Sequence, residues 1–205
     1  QLMVRGLHDE REGGQSRKHL AASSSEPLYS TSVKTNRYEM QWKNGFTINA
    51  DHNTSIALML HGSWHDADNM FGKTQYDVTQ KNCYAQLMFE TDITEKHNIS
   101  VGASLNHDYY DERFNPFGTL PKAESKVTKE TTPGLYAQYT YKLGDKLTVM
   151  PGVRWDYSNL YGSFFTPRLH IKYSPSKIVT LRTSVGKGYR SPHALAENVT
   201  LLASG

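Results

Sequence analysis

The sequence lacks any apolar run long enough to cross a membrane as a helix. Its longest uninterrupted aliphatic stretch is Ile56 to Leu60, whereas a membrane-spanning helix needs about 20 apolar residues. Only 37% of the 205 residues are hydrophobic, and the mean hydropathy is -0.63. These values argue against a helical membrane protein. They leave a membrane β-barrel open, because about half of the residues in each barrel strand face away from lipid.

Cysteine, one-sided charge and catalytic motifs are also scarce. The single Cys83 cannot form an internal disulfide, and a net charge of +3 with intermixed signs does not resemble the basic stripe of a nucleic-acid binder. No Ser/His/Asp or paired-carboxylate arrangement predicts catalysis, so we do not expect an enzyme. His61, His65, Asp66 and Asp68 form the densest group of metal-ligand side chains. Their spacing fits no metal motif, so we expect neither a metal nor a cofactor.

The sequence does contain a strict two-residue alternation between residues 146 and 190. Such alternation places successive side chains on opposite faces of a strand. In residues 146–158 the first face receives Leu147, Val149, Pro151, Val153, Trp155 and Tyr157, and the second receives Thr148, Met150, Gly152, Arg154, Asp156 and Ser158. Residues 165–173 and 179–185 repeat the pattern. One apolar face and one charged face over strands of about ten residues are typical of a transmembrane β-barrel with lipid outside and a polar lumen.

The same reading predicts an all-β, antiparallel, up-and-down sheet of about nine strands. The predicted strands are residues 2–11, 37–49, 54–65, 82–92, 97–110, 134–143, 146–158, 164–174 and 177–189. Tight turns at 50–53, 93–96, 144–145 and 175–176 alternate with long polar segments at 12–36, 66–81, 111–133 and from Arg190 onward. Only the connection 159–163 is short where the alternation predicts a long one. Because barrel loops are longer on the outside, the long segments are predicted to be extracellular.

Aromatic residues are predicted to face outward near both ends of the strands, as interfacial girdles do. The predicted members are Tyr38, Trp42, Trp64, Tyr109, Trp155, Phe165 and Tyr189 at one end, and Phe46, Phe89, Tyr141 and Tyr173 at the other.

Three short motifs follow one another in the last third of the chain. They are Gly152-Val153-Arg154-Trp155-Asp156, Thr166-Pro167-Arg168-Leu169, and a motif whose members are Gly186, Gly188, Tyr189, Arg190, Pro192, Glu197 and Asn198. In order and spacing this part of the chain resembles a TonB-dependent outer-membrane receptor. The resemblance is strongest to receptors of the Bacteroidetes, including those for vitamin B12 or iron complexes.

The resemblance implies a barrel of about 22 strands in the bacterial outer membrane, filled by an N-terminal plug. Such a receptor imports a scarce nutrient such as a ferric siderophore, haem or cobalamin, which is captured by extracellular loops. The expected partners are outer-membrane lipid, the receptor's own plug domain, periplasmic TonB, the metal complex or corrinoid ligand, and a surface lipoprotein. Residues 1–205 are then an internal part of the barrel domain, without the plug and the remaining strands.

Two groups of site residues follow. The lumen or plug-facing group is Arg5, Lys43, Arg154, Asp156, Arg168, Lys172 and Arg182, which would bind the plug and water or would guide an anionic ligand. The ligand-binding group in the extracellular loops is Tyr110, Arg113, Phe114, Tyr161, Phe164, Arg190 and His193. These aromatic and cationic side chains suit a large ligand at a concave mouth, or they pack the loops themselves. Gly186 and Gly188 are assigned a backbone role where the strand leaves the membrane.

Two other classes of protein stay open at this point. An outer-membrane barrel enzyme would need catalytic carboxylates or a Ser/His pair at the rim of adjacent strands. A soluble β-barrel or β-sandwich binding module would keep the apolar face in its core and expose the charged face to solvent.

Overall fold

A computed structural model describes residues 1–15, 28–118, 124–192 and 197–198. These residues form one antiparallel sheet in which every strand pairs with its neighbour in the sequence. The strands are β1 (Leu2–Gly14), β2 (Ser30–Asn49), β3 (Thr54–Phe71), β4 (Thr74–Thr94), β5 (His97–Asn115), β6 (Glu124–Leu143), β7 (Leu147–Ser158), β8 (Gly162–Tyr173) and β9 (Leu181–Gly186), with a 3₁₀ turn at Pro116–Gly118. The predicted all-β, up-and-down fold of about nine strands is therefore confirmed.

The two faces of the sheet have opposite chemistry. We call the face of Arg154 and Asp156 the wet face and the face of Val153 and Trp155 the dry face. Residues directly opposite in an antiparallel pair share a face, so the register fixes the face of each strand position. One wet row runs across Lys43, Met59, Gln86, Ser104, Gly134, Asp156 and Phe164.

The polar face is buried and the apolar face is exposed, which is the opposite of what a soluble β-sandwich shows. Asp156 is 0% exposed on the wet face, whereas Leu135 and Val153 are 55% and 44% exposed on the dry face. A soluble module would bury these aliphatic side chains and expose the carboxylate. The sheet thus presents its apolar surface outward and keeps its polar groups inside, as barrel walls do. No helix in the described ranges has the length and apolar character needed to span a membrane.

Strands β2 to β6 are longer than predicted. They span 18 to 21 residues and continue through the segments from Asp66 and Asp111 that the sequence predicted to be long loops. The β3–β4 hairpin closes at Gly72-Lys73, where Gly72 adopts a φ of +60°. The prediction was wrong here because the dry face of the hairpin is polar, at Asp66, Asp68 and Asp77, so the apolar face that marks the other strands is missing. We call the parts of β2 to β6 beyond Tyr38, Trp64 and Tyr109 the rim.

The last strand is shorter than predicted. β9 begins at Leu181 and ends at Gly186, so residues 174–180 form a longer connection than the predicted turn at 175–176. Tyr189 lies beyond β9 and its ring stacks on Phe164, a wet-face residue, at 4.0 Å between ring centroids. Its predicted outward position in an aromatic girdle is therefore wrong. Tyr38 and Trp64 do face outward, and they stack on each other at 5.6 Å.

Candidate functional site

A cavity of about 910 Å³ lies over the wet face near the rim. Its lining includes Tyr110 of β5, Glu130 of β6 and Arg154 of β7. Tyr189 and Arg190 also line it, because residues 187–192 pass back over the wet face instead of continuing β9. We call residues 187–192 the crossing segment. The cavity therefore combines groups from the wall of the sheet with groups from a segment that covers it.

An ion pair between the partly exposed Arg154 and the fully buried Asp156 supports the floor of this cavity. The Arg154 guanidinium donates two hydrogen bonds to the Asp156 carboxylate, at 2.7 and 2.6 Å, and a third to Ser104 Oγ at 2.7 Å. Gly134 of β6 lies directly opposite Asp156, and an added Cβ there would overlap the Asp156 carboxylate. A bidentate guanidinium–carboxylate pair has a fixed geometry. Gly134 therefore leaves the space in which Arg154 and Asp156 can meet across β6.

Glu130 connects the wall to the crossing segment. Its Oε1 accepts hydrogen bonds from Ser158 Oγ at 2.6 Å and from Ser191 Oγ at 3.0 Å. Glu130 is buried, and Thr132 Oγ1 lies 3.4 Å from the same oxygen as a third donor, so the three donors Ser158, Ser191 and Thr132 are all neutral hydroxyl groups. Because a buried carboxylate needs hydrogen-bond donors, this residue fixes both the end of β7 and the crossing segment.

Three further contacts position the crossing segment. Lys187 donates its backbone N–H to the Pro167 carbonyl at 3.0 Å, and the Arg190 guanidinium pairs with Glu197 at 2.6 Å. The third is a hydrogen bond between Tyr189 and Asp156. Burial raises the pKa of Tyr189, and the negative charge of Asp156 and this hydrogen bond raise it further. The tyrosine therefore stays neutral at physiological pH. At the end of β9, a Cβ on Gly186 would lie 3.1 Å from Arg168 Cβ, whereas Gly188 has open space around it.

The rim carries a small core on its wet side. Tyr76 is fully buried with Ala67 and Val78, and Tyr110 and Phe114 pack against this cluster. Tyr76 donates its hydroxyl to Glu112 at 2.8 Å, and burial and this carboxylate raise its pKa above the usual range. Burial also raises the pKa of Tyr110 to about 12. The rim thus has a rigid layer of neutral phenols beside the cavity.

The predicted ligand-binding residues do not all come together. Tyr110 and Arg190 line the cavity, and Phe164 lies beneath Tyr189. Phe114 packs behind Tyr110 in the rim core. Tyr161 is 46% exposed in the turn between β7 and β8. His193 lies outside the described residues.

Arg113 departs from the predicted group. It is part of β5 rather than a loop, and its register with Asp77 and Ser125 places it on the dry face. Its guanidinium lies 3.8 Å from the Asp111 carboxylate on the same face. The prediction treated residues 111–133 as a loop and therefore ignored the strand alternation that separates Arg113 from Tyr110.

The predicted lumen-facing residues all share the wet face. The register places Arg5, Lys43, Arg154, Asp156, Arg168, Lys172 and Arg182 on it. Arg5 lies 3.7 Å from Glu39, and Arg168 donates to Gln138 at 2.8 Å. Lys172 and Arg182 face each other directly, and no ion pair involves either one within the described ranges.

The histidine and aspartate group does not form a metal centre. His65 faces the wet side, whereas Asp66 and Asp68 alternate onto the dry side. In the part of the chain that the structure describes, no three His, Cys, Asp or Glu side chains could together hold a metal ion.

Sequence reasoning missed Gly134, Ser104, Glu130 and the pair of Tyr76 with Glu112. The signal for Glu130 was present in the alternation of residues 130, 132, 134, 136 and 138 on one face of β6. It was overlooked because the opposite face of the same strand also carries polar side chains here, at Lys129 and Thr131.

Comparisons with known proteins agree with this architecture. Residues 9–201 match a family model described as TonB dependent receptor-like, beta-barrel. The ferric enterobactin receptor of Pseudomonas aeruginosa is 25% identical over 76 residues, which are 37% of this chain and 10% of that protein.

Two solved structures share the fold. The alcaligin outer-membrane receptor of Bordetella pertussis aligns with a TM-score of 0.59 at 12% identity, over 86% of this chain and 30% of that receptor. The siderophore receptor PirA of Pseudomonas aeruginosa aligns with a TM-score of 0.57 at 12% identity, over 93% of this chain and 34% of that receptor. The chain spans about a third of each. Because the family model covers most of its residues, the chain belongs to the β-barrel domain family of the TonB-dependent receptors, which are proteins of the bacterial outer membrane.

Proposed function

We propose that the receptor containing this chain imports a ferric siderophore across the outer membrane. The chain supplies nine strands of the barrel wall and the part of the mouth formed by the rim and the crossing segment. The observation that carries the proposal is the cavity, which combines the Arg154 and Arg190 guanidinium groups and the Tyr110 and Tyr189 phenols with the carboxylates of Asp108, Glu130 and Glu197. This mixture of charged groups and phenols suits a large polar ligand with aromatic or hydroxylated surfaces.

The direction of entry follows from the rim. Barrels of this kind carry their longer loops and hairpins outside the cell. Here the long hairpins extend beyond Tyr38, Trp64 and Tyr109, at the rim end. The cavity then opens toward the exterior, where ligand arrives. Haem and cobalamin are the rival cargoes. The siderophore is preferred because the relatives named above are receptors for siderophores.

We call the part of the wet face around Lys172 and Arg182 the lower wet face, and we assign it to the plug. Lys172 and Arg182 lie opposite each other there, and directly opposed like charges destabilise a sheet. Acidic side chains of the plug would relieve this repulsion. The plug, periplasmic TonB and a surface lipoprotein lie outside this chain, and each belongs to the proposed assembly of the whole receptor. We also propose that the receptor has no enzymatic activity, because the relatives are transport receptors.

The test is uptake by the full-length receptor in a deletion strain. We expect energy-dependent accumulation of radioactive iron from ferric siderophores, abolished by a protonophore, and none from haem or labelled cobalamin. Accumulation of haem or cobalamin instead would reassign the cargo, and enzymatic turnover without uptake would reject the transporter.

A matched pair of variants tests the cavity. Arg190→Gln removes a cation that lines it, so the apparent affinity for the siderophore should fall about tenfold or more, as for the loss of a charge-assisted hydrogen bond. Arg113→Gln removes the same charge on the dry face and should leave uptake unchanged. Equal effects of the two substitutions would exclude the cavity as the ligand site.

A further inference from the structure

We propose that Lys81, Tyr109 and Lys129 form a binding site for the phosphate group of a lipid in the outer leaflet. The three side chains come from adjacent strands and lie in one row of the dry face, because Lys81 pairs with Tyr109 and Tyr109 pairs with Lys129. The Lys81 and Lys129 Nζ atoms lie 5.7 and 5.9 Å from the centroid of the Tyr109 ring. Two ammonium groups and a phenol therefore share one small area of the outer surface. This proposal does not depend on what the receptor imports.

The position of the row corresponds to the membrane interface. Trp64 and Tyr38 continue the row on β3 and β2 and stack on each other. Two positions below Lys81 and Tyr109 the dry face holds Cys83 and His107, and the next pair is Ala85 with Leu105. Aromatic residues of a barrel collect where the apolar band meets the headgroups. Lys81 and Lys129 thus lie at headgroup level.

The two lysines are the first charges above the apolar band. From their row to the opposite ends of β2 to β8, the dry-face positions of the described strands carry no Asp, Glu, Lys or Arg. A lysine at the edge of an apolar surface lays its methylene stem on that surface and extends its ammonium group to the polar layer. The stems here can cover acyl chains while the ammonium groups meet headgroup phosphate.

The aspartates above the row do not neutralise these lysines. Asp111 accepts a hydrogen bond from Ser125 at 3.0 Å and lies 3.8 Å from Arg113, and Asp66 accepts one from Thr79 at 2.6 Å. Among the described residues, neither Lys81 nor Lys129 forms an ion pair. Both lysines are exposed. Two exposed cations at headgroup level, separated by one aromatic ring, complement an anionic headgroup.

The experiment uses the purified full-length receptor and vesicles that contain lipid A. One set of vesicles carries the diphosphorylated lipid and a second carries the same lipid after phosphatase treatment. We expect the wild-type receptor to prefer the phosphorylated vesicles and to lose affinity as salt is added. Because a lysine near an anionic membrane surface contributes about 1 kcal/mol, the double variant Lys81→Gln/Lys129→Gln should bind them about thirtyfold more weakly. The double variant Lys81→Arg/Lys129→Arg should retain binding.

A charge-matched control separates a local site from net charge. Lys96→Gln/Lys146→Gln removes two lysines from the turns at the opposite ends of the strands and should bind like the wild type. Heat-dependent mobility in detergent gels shows that each variant forms its barrel. Equal binding of both kinds of vesicle, or equal binding by Lys81→Gln/Lys129→Gln and the wild type, would refute the site. Displacement of the lipid by millimolar inorganic phosphate would refute the lipid assignment, because the site would then recognise a small anion alone.

Discussion

The substitution Gly134→Ala should destabilise the barrel far more than an alanine in a strand usually does. A Cβ at this position would overlap the Asp156 carboxylate, which is fully buried and accepts hydrogen bonds of 2.7 and 2.6 Å from Arg154. Each hydrogen bond to a charged group contributes about 1.5 to 3 kcal/mol, and complete loss of one partner of a buried pair costs about 3 to 5 kcal/mol.

In Gly134→Ala the two partners are displaced rather than removed. Alanine also loses less backbone entropy on folding than glycine, which offsets about 0.5 to 1 kcal/mol. We therefore expect the free energy of unfolding to fall by about 2 to 3 kcal/mol. The measurement is urea unfolding of the full receptor in detergent micelles, followed by tryptophan fluorescence, with the shift read from the transition midpoint at constant slope.

Gly62→Ala is the matched control, because a Cβ there would meet only the Asn82 carbonyl oxygen at 4.0 Å. Without a clash, only the gain in backbone entropy remains, so Gly62→Ala should raise the free energy of unfolding by about 0.5 to 1 kcal/mol. A double-mutant cycle with Asp156→Ala then identifies the cause, since Gly134→Ala should cost much less once the carboxylate is gone. If Gly134→Ala and Gly62→Ala unfold at the same urea concentration, the steric argument for Gly134 is refuted.

The remaining predictions concern the rim and the lower wet face. Tyr76→Phe removes the donor to the buried Glu112, so amide hydrogen exchange in the rim should speed up by the equivalent of about 1 to 3 kcal/mol; unchanged exchange would contradict this. Burial and an aspartate directly opposite raise the pKa of Asp68, so its contribution to stability is present at acidic pH and is lost as pH rises through the raised pKa. Asp68→Asn should therefore slow rim exchange at pH 7, with the gain disappearing below the ordinary aspartate range; a pH-independent gain would contradict the electrostatic cause. Lys172→Gln should raise the urea midpoint of a plug-deleted barrel, because it relieves repulsion from Arg182. In the full receptor the same substitution should weaken retention of the plug. If it strengthened both the barrel and the retention of the plug, or weakened both, the assignment of this face to the plug would be contradicted.

The alternation of the membrane-embedded strands was predictable because each face meets a different solvent. Leu135, Val153 and Leu169 face lipid while Arg154 and Arg168 face the interior, so a single two-residue period determines the face. The period ends where the strand leaves the membrane, although the strand itself does not end. On the rim, Asp77 and Arg113 of the dry face meet water. The alternation of apolar and polar residues is therefore lost there, and the rim hairpins were predicted to be loops.

The contacts of the candidate site were harder to predict because they join distant parts of the sequence. Ser191 reaches Glu130 across 61 positions of the chain and Arg154 reaches Ser104 across 50, and neither contact follows from local spacing. The register that places Gly134 opposite Asp156 depends on the pairing of β6 with β7. The motif around Tyr189 identified the family, but its place over the wet face depends on the packing of Phe164, which has no sequence signature of its own.

The two faces place different demands on the same strands, and their separation makes the proposed sites independently testable. A strand position on the dry face contacts its lateral neighbours and lipid, so Lys81 and Lys129 can change without disturbing Glu130 or Arg154 on the other side. Positions on the wet face are coupled through hydrogen bonds that cross an intervening strand, as the bond between Arg154 of β7 and Ser104 of β5 crosses β6. Substitutions at separated dry-face positions should therefore add in their effects on stability, whereas substitutions among Ser104, Arg154 and Asp156 should not.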